Sequence, residues 1–240
     1  DKFKNAVDTF PGLDGMWMDF IRWPLHWEVR DWEEGVSPYI YETSFDDATL
    51  ARFEAATGID IPDNLATVPQ RAAWIRSNVY DEWAQWKCSI INDFCRIAHD
   101  YLKSKDPNKV LGAFTVPWKT TDYDGAILKI VGQDYAAMAQ WVEVWSPMEY
   151  YDMMDYTVPW LGDFATYCKQ VTGRPTIPII MGYSISRDKY GDELTPAELA
   201  ESIRTTALAP GSDGVMMFWY ASILDEGRLA EVTQALDALP

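Results

Sequence analysis

Basic side chains are scarce in this sequence. Its 240 residues carry 20 Lys and Arg against 37 Asp and Glu, a formal net charge of -17. Nucleic acid phosphates and anionic membrane surfaces are bound through basic patches, so the balance argues against both as partners. Histidine is nearly missing, and His26 and His99 offer neither a catalytic triad nor a zinc cluster. The three cysteines, Cys88, Cys95 and Cys168, make neither a disulfide framework nor a zinc set. Cys88 and Cys95 fall two helical turns apart, too far to bridge, and all three read as small buried apolar side chains. No run of 18 apolar residues occurs, so no helical membrane span is expected. No secretory leader precedes Asp1, which leads us to expect a mature secreted form or an excised piece. Phosphate-binding Gly-x-Gly-x-x-Gly and Gly-x4-Gly-Lys-Ser/Thr loops are lacking, as is a Gly-x-Ser-x-Gly elbow. No nucleotide, other cofactor or metal is therefore expected.

What is plentiful is aromatic mass. Hydrophobic residues make up 48% of the chain and aromatics 14%, with 12 Trp, 13 Tyr and 9 Phe. That composition is globular, with enough apolar surface to offset the entropy of ordering. The length suits one barrel or sandwich domain, or two small ones. Several tryptophans, among them Trp17, Trp23, Trp118, Trp145 and Trp219, fall at or just after candidate strand ends. Flat aromatic faces cover the apolar side of a pyranose ring while carboxylates and amides hold its hydroxyls. Their plain alternative role is to fill a barrel rim.

Strands and helices alternate along the chain. Near-continuous apolar runs mark strands at 14–21, 111–116, 142–150, 176–183 and 213–220. Helices are expected at 1–10, 46–56, about 70–104, 133–140, 160–171, 196–208 and 224–238. Gly58 and Gly173 close two of them, and Thr195, Pro196 and Glu198 form a capping box with a first-turn proline. The long helix shows an apolar stripe from Ile75 and Val79 through Trp83, Trp86, Ile90, Phe94 and Ile97 to Tyr101. Residues 22–42 form an aromatic and charged loop too long for a simple connector. Five β/α repeats of this kind predict a parallel α/β architecture of TIM-barrel type.

In such barrels chemistry sits at the C-terminal strand ends. Those ends hold Asp19, Arg22 and Trp23; Trp118 with Asp122 and Asp124; Glu149, Tyr150 and Tyr151; Tyr183; and Trp219 with Tyr220. Glycoside hydrolysis needs two carboxylates, one as acid and the other as nucleophile or base.

The motif DGMWMDFIRWP at 14–24 resembles the fourth-strand signature of glycoside-hydrolase-like TIM-barrel families. LGAFTVPW, SPMEYY, PIIMGY and GVMMFWY are similar to their strands five to eight. The chitinase signature fits poorly, because Ile21 stands where its catalytic glutamate belongs. A fourth-strand aspartate with a sixth-strand carboxylate resembles the α-galactosidase-like clan. The resemblance implies Asp19 as nucleophile, its ionised form favoured by Arg22, and Glu149 as proton donor. Glu28 is the rival donor, with His26 and Asp31 behind it. Substrate binding would fall to Arg22, Trp23, His26, Glu28, Trp118, Tyr150, Tyr151, Tyr183 and Trp219. Asp122 and Asp124 read as solvating a surface turn.

A closed barrel needs eight strands, and five are found. The expectation is a single domain over 1–240 lacking its first three β/α units, with the rest of the barrel or another subunit as partner. The implied activity is glycoside hydrolysis of a poly- or oligosaccharide, extracellular or periplasmic. The alternative is a non-catalytic carbohydrate-binding protein or a structural subunit of an extracellular assembly.

Overall fold

The computed structural model describes residues 1–25, 42–153, 156–183, 194–225 and 227–240. Its five strands are β1 (Gly15–Met18), β2 (Val110–Thr115), β3 (Val144–Pro147), β4 (Ile179–Met181) and β5 (Met216–Phe218). All pair in parallel. β1, β2 and β3 form one ladder, β4 and β5 another, and single bridges Trp145–Thr176 and Met148–Ile179 join the two. Five parallel strands in sequence order agree with the sequence reading, and the core of each expected strand is found. Among the described residues β1 pairs only with β2 and β5 only with β4.

Helices connect the strands: α1 (Lys2–Thr9), α2 (Asp47–Thr57), α3 (Val68–Asn78), α4 (Tyr80–Lys105), α5 (Tyr135–Met138), α6 (Pro159–Thr172), α7 (Pro196–Ala207), α8 (Tyr220–Asp225) and α9 (Leu229–Asp237). Thr195 and Glu198 make the expected reciprocal cap on α7, and Gly58 and Gly173 end α2 and α6 in the left-handed conformation. Three differences from the sequence reading stand out. The expected single helix over 70–104 is broken at Val79 (φ -145°, ψ 34°), giving α3 with its own Thr67–Gln70 capping box and then α4. The side of α4 packed on the sheet is also not the one expected. Ile91, Cys95, Ala98 and Leu102 are buried against Leu111 and Ala113, while Ile90, Phe94 and Ile97 are exposed. Both stripes have three- and four-residue spacing, and the buried one includes the small Cys95 and Ala98, which let the helix lie close to the strands. The expected helix at 133–140 shrinks to α5, preceded by a π-helical turn at Ile127–Val131.

The cysteines behave as expected of small apolar side chains. All three are free, and burial pushes the Cys88 and Cys95 thiols up to about 12.

A separate apolar cluster, containing Phe45, Phe53, Trp83 and Trp86, surrounds a buried ion pair. Glu42 Oε1 accepts from Lys87 Nζ and Trp83 Nε1, both at 3.1 Å, and Oε2 from Arg76 Nε and Tyr80 Oη, both at 3.2 Å. Lys87 Nζ also donates to the Lys129 carbonyl at 3.0 Å, and the Lys87 carbonyl receives the indole N–H of Trp23 at 3.1 Å. Nearby, Thr43 Oγ1 donates to the Pro24 carbonyl at 2.8 Å. Residues 23–24 and 42–43 are thereby held together on α4. The Trp23 ring fits only because Gly132 has no side chain: a Cβ there would lie 2.6 Å from Cδ1.

Removing one member of a buried pair strands the other charge, at a cost of about 3–5 kcal/mol. Lys87→Met should lower unfolding stability by that amount in urea titrations. The Glu42→Gln/Lys87→Met double variant should recover part of it, and strictly additive losses would show that the two are not coupled.

Candidate active site at the strand ends

Side chains on the sheet alternate, and one contact fixes which face is which. The Trp17 indole lies across Gly112, where a Cβ would meet its ring at 2.3 Å, and donates Nε1–H to Ser146 Oγ at 3.1 Å. Trp17, Gly112, Phe114 and Ser146 therefore share the face turned away from the helices. The opposite parity, Leu111, Ala113 and Trp145, packs into the helix-covered core, with the Trp145 ring 4.7 Å from that of Tyr135 on α5.

Past the strand ends, residues of the first parity gather at what we read as a cleft. Asp19 follows β1 directly and is solvent-exposed. Its Oδ1 accepts the backbone N–H of Phe20 at 2.8 Å, and Phe20 itself takes φ 51°. Tyr150 is buried across from it. Burial first, then the negative charge of Asp19, raises the Tyr150 phenol, so it stays a neutral hydrogen-bonding group. The Tyr150 ring stands 5.6 Å from Phe218, Phe218 meets Trp219 edge-on at 5.0 Å, and Trp219 lies 5.2 Å from Tyr183. The Trp219 indole is 44% exposed. One carboxylate, two phenols and an accessible indole thus gather from the ends of β1, β3, β4 and β5. This set can hold hydroxyls, stack a flat apolar ring face and place a negative charge beside it.

No family model matches the chain, and no curated protein matches it. Solved structures do, among them these two. The glycoside hydrolase domain of PgaB (BpsB) from Bordetella bronchiseptica aligns with a TM-score of 0.61 at 12% identity, over 92% of this chain and 56% of that one. Bee venom hyaluronidase, in complex with a hyaluronic acid tetramer, aligns at 0.50 and 12% identity, over 98% of this chain and 71% of that one. The fold is glycoside-hydrolase-like. The chain spans little more than half the length of the PgaB domain it matches.

In a glycoside-hydrolase-like fold of this kind the strand ends are the place for chemistry, and several expected site residues lie elsewhere. Glu149 has the parity of Trp145. Its side chain is fully buried in the helix-facing core, near Tyr135 of α5 and Cys168 of α6. Neither carboxyl oxygen has a hydrogen-bond partner, and burial alone raises its pKa well above the ordinary value. The upward shift that suits a proton donor is there, but it comes from a position on the other face of the sheet from Asp19. Trp118 is fully buried beside Tyr123, with no face free to stack on a sugar. Tyr151 belongs to the cluster formed by Ile180, Leu199 and Ile203. Trp23 is anchored on Trp86 and Lys87. Arg22 does not pair with Asp19; its guanidinium lies over the Phe20 ring at 5.0 Å. His26, Glu28 and Asp31 lie outside the described residues. Asp122 and Asp124 hold a turn: Asp122 accepts the Lys119 N–H at 2.8 Å, and Asp124 pairs with Lys129 at 3.1 Å. Sequence reasoning passes over Ser146, Phe218 and Asp152, the last a buried carboxylate in the turn after β3. Counting alternate residues from Tyr150 would have found Ser146.

Glu149 makes a test of its environment possible. Its pKa in the folded state lies above that in the unfolded chain, near 4.5. Above pH 4.5 the unfolded state loses the proton while the folded state keeps it, so stability falls as pH rises toward the raised value. The slope reaches about 1.4 kcal/mol per pH unit. Glu149→Gln keeps the shape and removes the titration. Its stability should therefore gain on the parent protein as pH is raised from 4.5 to 7, and parallel curves would contradict a protonated buried Glu149.

Proposed function

We propose that the strand-end cleft binds a poly- or oligosaccharide and hydrolyses its glycosidic bonds, acting in an extracellular or periplasmic setting. The carrying observation is Asp19 at the end of β1, facing the Tyr150–Phe218–Trp219–Tyr183 wall in a glycoside-hydrolase-like fold. In this reading Asp19 is the carboxylate that meets the anomeric centre, as nucleophile or as stabiliser of the oxocarbenium-like transition state. Trp219 supplies the stacking face, and the neutral Tyr150 phenol donates a hydrogen bond to the sugar. The proton donor that glycoside hydrolysis also requires is assigned to Glu28, the rival named from the sequence, since Glu149 faces the core. We read the five strands as barrel strands four to eight. That reading is supported by the single-sided pairing of β1 and β5 among the described residues and by the 56% coverage of the PgaB domain.

A second reading is favoured by one observation: among the described residues Glu149 does not share the cleft with Asp19. A cleft with one working carboxylate would bind carbohydrate without cutting it.

The two readings part under a screen for reducing-end release from neutral, amine-bearing and acidic polysaccharides. Hydrolysis predicts release that falls by at least about a thousandfold in Asp19→Asn. Glu149→Gln should change it less than about threefold. Retained turnover in Asp19→Asn would overturn the role of Asp19. Saturable glycan binding without release, weakened about tenfold or more by Trp219→Ala, would establish the binding protein instead.

A further inference from the structure

A cavity of about 710 Å³ lies between the first half of α4 and the connection from β2 to α5, sharing no residue with the strand-end cleft. That volume is in the range of small-molecule sites. Its walls are held in place from several sides. Cys88 Sγ–H bonds to the Leu128 carbonyl at 3.5 Å and the buried Lys87 to the Lys129 carbonyl, tying the π-helical turn to α4. On the other wall Tyr123, Asp124 and Gly125 take successive φ values of 48°, 55° and 77°, a backbone form that non-glycine residues seldom adopt.

The lining selects a ligand class. Ala84, Leu128 and Ala137 give it an apolar floor. Asn92 also lines it, and its Oδ1 is buried with no donor. Asp124 is matched by Lys129, whereas no basic side chain among the described residues pairs with Asp81 or Asp134. Asp81, Asp124 and Asp134 against the single Lys129 thus leave the lining net negative around an apolar floor. Among the described residues no aromatic side chain lines the cavity, so the stacking expected of a sugar site is lacking. We propose that this cavity is a second ligand site, built for a small organic cation with an apolar body and an ammonium or guanidinium head. The head would sit between Asp81 and Asp134, and the body would cover Ala84 and Leu128.

Backbone amide NMR on the full chain tests this with benzylamine as probe, benzyl alcohol as neutral control and phenylacetate as anionic control. Benzylamine should shift amides of 81–92 and 120–137 saturably. The alcohol should bind at least about tenfold more weakly and phenylacetate not at all. Asp81→Asn, on the exposed first turn of α4, and Asp134→Asn, which keeps an acceptor for the Ala137 N–H, should each weaken benzylamine by about three- to tenfold. Raising the salt concentration should weaken it further. Equal binding of amine and alcohol, no saturation by roughly 10 mM, unchanged affinity in both variants, or shifts centred elsewhere would each overturn the proposal.

Discussion

The carboxylate of Glu42 accepts four hydrogen bonds inside a shell of tryptophan and phenylalanine, and the approach to the cleft is built on it. A buried charge is tolerated only when its lone pairs are filled and its counter-charge is adjacent. Filling them draws Arg76 from α3, Tyr80, Trp83 and Lys87 from α4, and through Lys87 the turn at 127–131 into one arrangement. The backbone leaving β1 is caught in the same arrangement, because Trp23 bonds to the Lys87 carbonyl and to that of Val131. Asp19 stands four residues before this anchor, so its place at the strand end is set partly by a cluster with no cleft-facing member. The break at Val79 belongs to the same construction. It lets α3 and α4 meet at an angle that brings Arg76 and Tyr80 to the same carboxylate.

The second organising constraint is the two-residue period of the strands. Within β3, Ser146 lies on the face of Trp17 and Trp145 on the helix-covered one, and past the strand Tyr150 and Glu149 part in the same way. Phe114–Ser146 pairs on one flank, and the Trp145 and Glu149 N–H groups bond toward β4 on the other. One residue of offset therefore separates a phenol beside the cleft from a carboxyl sealed in the core. The sealed carboxyl is stable only as the neutral acid, since nothing around it bonds to the anion.

Much of the fold was legible because it rests on signals that survive without tertiary context. Apolar runs bounded by turns located all five strands, and the Thr195-Pro196-Glu198 sequence located the start of α7 on capping chemistry alone. The break at Val79 was missed because the apolar stripe runs across it, although Ser77, Asn78, Val79 and Tyr80 are all indifferent helix formers. The buried side of α4 was not legible. Ile90, Phe94 and Ile97 have the spacing of a core stripe as fully as Ile91, Cys95 and Leu102 do, and periodicity cannot rank two stripes on one helix. The sheet takes the one whose smaller residues permit closer contact.

The site was legible as a region and not as a residue set, for a reason that applies to its tryptophans. Trp118, Trp145 and Trp219 all fall near strand ends, yet the first two are fully buried and only Trp219 reaches solvent. Indole is large enough to seal a core and flat enough to receive a sugar, so its presence at a strand end does not choose between the two. Parity chooses, and parity can be counted only from a residue whose face is already known. Trp17 supplies that origin, because its ring rests on a glycine of β2 and its N–H reaches Ser146 of β3. From there Asp19 and Tyr150 fall on the cleft side, while Trp145 and Glu149 fall on the core side. A carboxylate pair read from strand ends is therefore a statement about two parities as well as two residue types. In this chain the parities of Asp19 and Glu149 differ.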